Sequence, residues 1–362
     1  MASAPNSDLL DLPGHVGQRA ATFSFQLVDG RTGVRRGVLA PLRSSAPTLS
    51  HDTTSTISRR VNGLALDVAD AARINPLTDR ITITMVLGDP ARSTYPLGRY
   101  LIADSADLVS TAGNRKTLTL FDEMFVVDQD LDAGFDAGGQ PVDQAVLRLL
   151  DGLPIGEPAI DATEQTSTAA WSPGTSRAAA LIDLATAGGY FKPWFDHSGG
   201  LRLVRAFEPA DRAPTVDLDA SRRVIRGSIS RASDVLTAPN RIVVVSNDPG
   251  SDAAPVIGTY DVPFSAPHSI AQRGFVIPRV VKAQLPSQRH ATVYARTLGI
   301  QQTVYEVVEL STPPDPRHDG YDVVRFDGAL WLEIGWEMPL TAGGEMRHKL
   351  RRAYPATDGG GE

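Results

Sequence analysis

The run Gly188-Gly189-Tyr190-Phe191-Lys192-Pro193-Trp194-Phe195-Asp196-His197-Ser198-Gly199-Gly200-Leu201-Arg202-Leu203 constrains the fold more than any other stretch of this chain. Upstream of it, Ala178, Leu181, Ile182 and Leu184 recur near helical spacing after Ser-Pro-Gly-Thr-Ser, and Gly188-Gly189 stops the pattern as a C-cap does. Within it, aromatic residues alternate up to the turn Asp-His-Ser-Gly-Gly, after which Leu201 and Leu203 resume a period of two. The segment predicts helix, strand, tight turn, strand.

Around this unit the chain reads as β. Thr22–Val28, Thr53–Ser58, Gly63–Val68 and Arg80–Leu87 are rich in β-branched or alternating apolar residues. Tyr95–Asp104 and Lys116–Asp122 add two strands about a Gly113-Asn114 turn, and the turn spacing is that of a sandwich or barrel. Pro141–Leu150 suits a short helix opened by proline. A Pro/Gly/Thr-rich link, Gly152–Gly174, follows it. Strands return at Val224–Ser230 and at Asn240–Ser246, whose continuous apolar run predicts burial on both faces. Ser287–Gly299 is a third helix, with Ala291, Ala295 and Leu298 on one face. Tyr305–Leu310, Tyr321–Phe326, Leu330–Ile334 and Trp336–Leu340 complete the set.

The expected fold class is therefore mainly β with short helices, a β-rich α+β protein. Its expected parts are an N-terminal arm (1–16), a first β-barrel-like domain (17–127), a helix-containing insert with the hairpin (128–220), a second β-barrel-like domain (221–355) and a Gly-rich disordered tail (356–362). At 362 residues, 42% of them hydrophobic, the chain is long enough for two or more such units.

A formal net charge of −7 argues against a nucleic-acid-binding surface spread over the whole protein, and acidic walls let DNA slide past without sticking. The absence of cysteine excludes disulfides and thiolate metal sites, and permits assembly in a cytosol. Met1–Pro13 lacks the basic start and apolar run of a signal peptide, and no apolar run reaches the roughly 20 residues of a membrane span.

In its order of elements, from the β-rich domain through a helix ending Gly-Gly-Tyr, an aromatic strand and Leu-Arg-Leu, the chain resembles the baseplate-hub or tail-tip hub family of bacterial viruses. This family includes minor tail proteins of long-tailed phages and contractile-tail hubs. Ala238-Pro239-Asn240-Arg241-Ile242-Val243-Val244 is similar to the hub strand that follows the helical insert, and Leu310–Val324 to the proline-rich turn and Gly-x-Asp-Val-Val strand near its end. The resemblance covers roughly the last two-thirds of the chain. It implies two β-barrel-like hub domains per subunit and a homotrimeric ring whose three copies match a six-fold tail tube. The implied partners are the tail tube or distal tail protein, the tape-measure protein and other minor tail or tip proteins, with DNA leaving through the channel without specific binding. The implied location is the tail tip of the virion, after assembly in the host cytoplasm. Longer relatives carry a C-terminal extension with lytic or receptor-binding activity, and this chain stops near the final strands.

The chemistry-bearing residues favour plain readings. Asp128, Asp130, Asp132 and Gly134 have the opening rhythm of a calcium loop, but Gly139 stands where a bidentate acid belongs, so a solvated acidic loop over 128–140 is expected. Asp196, His197 and Ser198 are neighbours in a turn, where a nucleophile, a base and its orienter cannot line up. His15, His51, His197, His268, His290, His318 and His348 include no pair at zinc-protease spacing. Glu306 and Glu309 fall on opposite faces of a strand. Tyr190, Phe191, Trp194, Phe195, Trp331 and Trp336 are expected to be buried rather than to line a sugar groove. Arg347, His348, Lys349, Arg351 and Arg352 form one basic cluster that meets an acidic neighbour or keeps the C-terminus in solution. No catalytic residue, cofactor-binding residue, metal ligand or cofactor is assigned. The alternatives to a structural hub are a tail-associated cell-wall-degrading enzyme and a carbohydrate-binding host-attachment module.

Overall fold

The structure is a computed structural model that describes residues 21–88, 93–110, 113–221, 223–225, 227–246, 255–283 and 285–355. The expected arm 1–16, its His15 and the expected tail 356–362 lie outside them.

The first part of the chain is an antiparallel sheet in which β5, β6 and β7 run as a meander. Strands β1 (Ala21–Asp29), β2 (Arg35–Leu39), β3 (Thr48–Asp52) and β4 (Arg59–Asp67) precede a short helix α1 (Val68–Ala72), and β5 (Asp79–Leu87), β6 (Ser93–Ser110) and β7 (Gly113–Phe121) follow. Alternation does the work here: in β5 the side chains of Ile81, Ile83 and Met85 point inward and Thr82, Thr84 and Val86 only half-cover the other face. Phe25, Leu27, Leu64, Leu118 and Leu120 join them in one core, each contributing about 1.5–3 kcal/mol of apolar burial.

The middle of the chain is mixed. Helix α2 (Met124–Val127), β8 (Phe135–Asp136), α3 (Val142–Leu149), β9 (Gly156–Ile160), β10 (Ala170–Trp171), α4 (Arg177–Ala187), β11 (Trp194–Phe195) and β12 (Gly200–Leu203) follow in order. Ser176 caps α4 by accepting from Ala179 N at 3.2 Å. The helix stops at Gly188, and Gly189 takes the left-handed φ of 81° that releases the chain into the hairpin. Trp194 pairs with Arg202 and Phe195 with Leu201, so successive aromatics face opposite sides. Phe195 packs with Val146, Leu181 and Leu184 of the two helices, and Trp194 with Phe191, Tyr321 and Leu332.

The last part holds β13 (Val216–Asp217), α5 (Leu218–Ser221), β14 (Ser230–Ser233), β15 (Arg241–Ser246), β16 (Val256–Asp261), α6 (Ile270–Arg273), β17 (Pro278–Lys282), α7 (Gln288–Gln302), β18 (Glu306–Thr312), β19 (Val323–Phe326), β20 (Ala329–Pro339) and β21 (Met346–Arg352). A small sheet, β16-β15-β17, packs Ile242 and Val244 on Ala295 and Leu298 of α7. The large sheet runs β14-β18-β21-β20-β3-β4-β7-β6-β5-β1-β2, with β19 on β20 and β13 on β19. Its two halves meet at β20, whose Gly335–Pro339 segment pairs antiparallel with β3. Trp336 and Met338 of β20 thereby complete the core of the N-terminal sheet.

The expected β-rich architecture is present, with corrections. Thr53–Ser58 is the turn between β3 and β4, because Asp52 accepts from Thr54 N and both hydroxyls of Thr54 and Ser55, and Thr53 bonds Ile334 O. Val224–Ser230 is not a strand: Ser228 N bonds Ile225 O, Gly227 has φ 89°, and pairing starts at Ser230. The link 152–174 contains β9 and β10. Leu330–Ile334 and Trp336–Leu340 are parts of one strand with a register shift between Glu333 and Gly335. Within β15 only Ile242, Val244 and Ser246 are buried, and Arg241, Val243 and Val245 are half-covered.

Candidate functional site

The strongest concentration of buried charge lies where the proline-rich turn after β18 folds over β20 and β21. The register shift in β20 places the Glu333 side chain inside, opposite Leu350 and diagonal to His348 on the same face of β21. From the turn, His318 reaches the same carboxylate. Its Nδ1 lies 2.7 Å from Glu333 Oε2, and His348 Nδ1 lies 2.6 Å from Glu333 Oε1. The two rings are 4.5 Å apart. On the far side of His348, Nε2 lies 2.8 Å from Thr312 Oγ1, and that hydroxyl donates to Pro313 O at 2.9 Å. All three acid–base residues are buried.

A ring of ion pairs surrounds this core. Asp315 accepts from Arg317 at 2.8 and 2.5 Å and from Arg223 at 3.1 Å. Asp319 accepts from Arg59 Nη2 at 2.5 Å and from Trp194 Nε1 at 2.9 Å, so it ties the turn to β4 and to the hairpin. Asp322 accepts from Asp319 N at 2.8 Å. Space at Gly320 is tight, because a Cβ there would sit 2.9 Å from His51 Nε2 and 3.3 Å from Trp194, so that a larger residue would push the buried His51 ring aside. Next to it Tyr321 adopts φ 63°, a strained value for an aromatic residue, held by stacking on Phe191 at 4.1 Å and an edge contact with Trp194 at 5.3 Å.

Burial dominates the electrostatics and partners decide the sign. Burial opposes charge on His318, yet the Glu333 carboxylate and its hydrogen bond, aided by Asp315 and Asp322, raise it to about 9. Burial opposes charge on Glu333 too, but the two imidazoles lower it to about 2. His348 stays below its ordinary value, because burial outweighs the same carboxylate. Asp322 is pushed up to about 7 by burial and then by repulsion from Glu333. Asp315 is buried but held well below the carboxylate range by Arg317.

Among the described residues, His318, Glu333 and His348 are the group of three possible metal ligands whose donor atoms gather within 4.8 Å. The sequence reading missed it because the three residues are far apart along the chain. Two signals were available: a glutamate inside the apolar run Leu-Trp-Leu-Glu-Ile demands a buried partner, and strand alternation in Met346–Arg352 turns His348 inward. The basic cluster is accordingly split. Arg347 and Lys349 are exposed, His348 and Arg351 are buried, and Arg351 donates to Ile300 O.

The other singled-out residues behave plainly. In the hairpin turn, Asp196 Oδ1 accepts from Ser198 Oγ at 2.6 Å and Ser198 N at 2.8 Å, so the serine proton is committed to the aspartate. His197 is exposed and 4.0 Å from Asp319. Over 128–140, Asp128 binds Ser176 Oγ, Asp132 binds Ala133 N and Asp136 binds Gly138 N, and these carboxylates do not converge. Glu309 is exposed, and Glu306 accepts from Tyr354 at 3.4 Å. Tyr190, Phe191, Trp194, Phe195, Trp331 and Trp336 are all buried.

The β-rich fold as a whole is similar to those of solved phage tail proteins. The structure is similar to the tail protein from Neisseria meningitidis MC58, with a TM-score of 0.62 and 13% identity over 91% of this chain and 97% of that one. It is also similar to the 43 kDa tail protein of prophage MuSo2 from Shewanella oneidensis, with a TM-score of 0.58 and 12% identity over 91% and 98%. Prophage tail protein gp18 from Listeria monocytogenes EGD-e matches with a TM-score of 0.57 and 10% identity over 90% and 94%. No protein-family model matches the sequence, and no curated protein matches it. At such identities the likeness is one of fold: the chain has the phage tail-protein fold that its hairpin segment resembles.

Proposed function

We propose that the protein is a structural component of a phage tail: a homotrimeric tail-tip or baseplate hub that joins the tail tube to tip proteins and surrounds the channel for the tape-measure protein and DNA. The observation that carries this reading is a fold match running over nine-tenths of this chain and nearly the full length of three tail proteins. In this reading 17–127 and 221–355 are the two barrel-like units, 128–220 is the insert, and the β3–β20 ladder joins them.

The large sheet supports a ring. Among the described residues neither end strand, β2 or β14, has a second neighbour. Exposed apolar side chains flank both ends, Val34 and Val38 at one and Ile229 and Val235 at the other. Free edges invite pairing, and contacts between unlike ends of successive copies close into a ring. The net charge of −7 suits passage of DNA without adhesion. No helix among the described residues is long and apolar enough to cross a membrane. The hub acts through symmetry and interface area rather than catalysis, in the virion after assembly in the host cytoplasm.

Native mass spectrometry and particle images test it. The expected species has three times the mass of one chain and three-fold symmetry. A monomer within purified tails, or a six-fold ring, overturns the proposal. Release of fragments from host cell walls by the purified protein, abolished by Asp196→Ala, His197→Ala and Ser198→Ala together, would favour the enzyme reading instead.

A further inference from the structure

We propose that His318, Glu333 and His348 hold a divalent transition-metal ion, of the zinc type, as a cross-link between the proline-rich turn and strands β20 and β21. This inference is independent of the hub reading and adds a ligand set where the sequence reading assigned none.

The Thr312 hydroxyl carries the argument. It has one proton, and with that proton on Pro313 O its contact with His348 Nε2 needs an N–H from the ring. A neutral His348 protonated on Nε2 turns the lone pair of Nδ1 toward Glu333 Oε1, 2.6 Å away. Two lone pairs in such contact need a positive centre between them. A histidine ligand that donates its other nitrogen to a hydroxyl, itself anchored on a carbonyl, is the outer arrangement that fixes metal-binding imidazoles. His318 presents Nδ1 to the second oxygen of the same carboxylate, so two imidazole nitrogens and both oxygens of Glu333 converge.

Donor chemistry and charge agree. Two imidazoles and a carboxylate are a zinc-type set; binding releases to solvent the proton between His318 Nδ1 and Glu333, and one carboxylate with two neutral imidazoles then leaves a net negative charge for the ion to neutralise. Asp322 adds a further, half-buried carboxylate near Glu333, whereas Asp315 is already matched by Arg317 and Arg223. Bonds of about 2.0–2.1 Å in a tetrahedron separate ligand atoms by roughly 3.3 Å. The present 2.6 and 2.7 Å contacts would therefore open by about 0.6 Å on loading. Burial means that the ion enters while the chain folds.

The test uses the full chain carrying a non-histidine tag, produced in zinc-supplemented medium and dialysed, with metal content read by mass spectrometry. About one zinc per chain is expected, with Glu333→Gln and His348→Ala each lowering occupancy at least tenfold. Wild-type protein refolded with Co(II) should show the visible absorption of a nitrogen- and oxygen-coordinated ion, a readout that stands even if the variants fail to fold. Folded wild-type protein that carries no metal and takes up neither zinc nor cobalt on refolding overturns the proposal and leaves a cluster bridged by protons only. A folded variant that keeps a full equivalent overturns it too.

Discussion

Trp194 is the side chain through which the hairpin grips the rest of the molecule, and Trp194→Ala should loosen that grip measurably. The indole is 4% exposed, meets Tyr321 edge-on at 5.3 Å and donates from Nε1 to Asp319 at 2.9 Å. Truncating a buried aromatic costs about 3–5 kcal/mol in lost transfer energy and residual cavity. Loss of the N–H adds about 1 kcal/mol more, reduced because Arg59 still pairs with Asp319. Trp194→Phe keeps most of the ring and should cost only about 1–2 kcal/mol. With an unfolding entropy of about 2 cal/mol/K per residue, the alanine variant should melt roughly 4–8 °C below the wild type. Urea unfolding of both variants beside the wild type gives the free energies. An alanine variant within 1 kcal/mol of wild type would refute the reasoning, and if it lost binding to cell-wall sugar at unchanged stability the aromatic would belong to a carbohydrate site.

Two further outcomes follow from particular contacts. His51 is buried against Trp336, and burial, with repulsion from Arg59, lowers it to about 4; since the unfolded chain titrates near 6.5, its contribution is full above that pH and is lost as pH falls toward 4, by about 3 kcal/mol. His51→Phe should therefore flatten the acid limb of a stability–pH curve measured by urea unfolding, and an unchanged limb would contradict this. Gly258 in β16 lies so close to α7 that a Cβ would stand 2.0 Å from Ala291 O; Gly258→Ala should cost at least about 3 kcal/mol and speed amide exchange in α7, and a variant as stable as wild type would show that the helix yields freely.

Much of the fold was legible where local chemistry and tertiary placement agree. Ser176, the apolar stripe of α4 and Gly188-Gly189 mark a helix by rules that act within a few residues, and Arg80–Leu87 alternates because one face meets a core. The failures share a cause. Thr53–Ser58 has strand composition, but Asp52 beside it recruits its hydroxyls and amides into a turn. β15 has an apolar run, but one of its faces is only half-covered within a single chain. The His318–Glu333–His348 cluster was invisible because its parts come from a turn and two strands, and register alone, including a one-residue shift at Glu333, makes them neighbours.

The ladder between β3 and β20 also sets a timetable. About 280 residues separate those partners in the chain, and at roughly 5–20 residues per second the ribosome needs roughly 14–56 s to supply the second after the first. Throughout that interval the nascent N-terminal sheet has an open flank on β3 and an empty slot where Trp336 and Met338 belong. The first half of the protein is thus born incomplete and is sealed by its last strands, so that truncation near the C-terminus unmakes the beginning of the chain as well as its end.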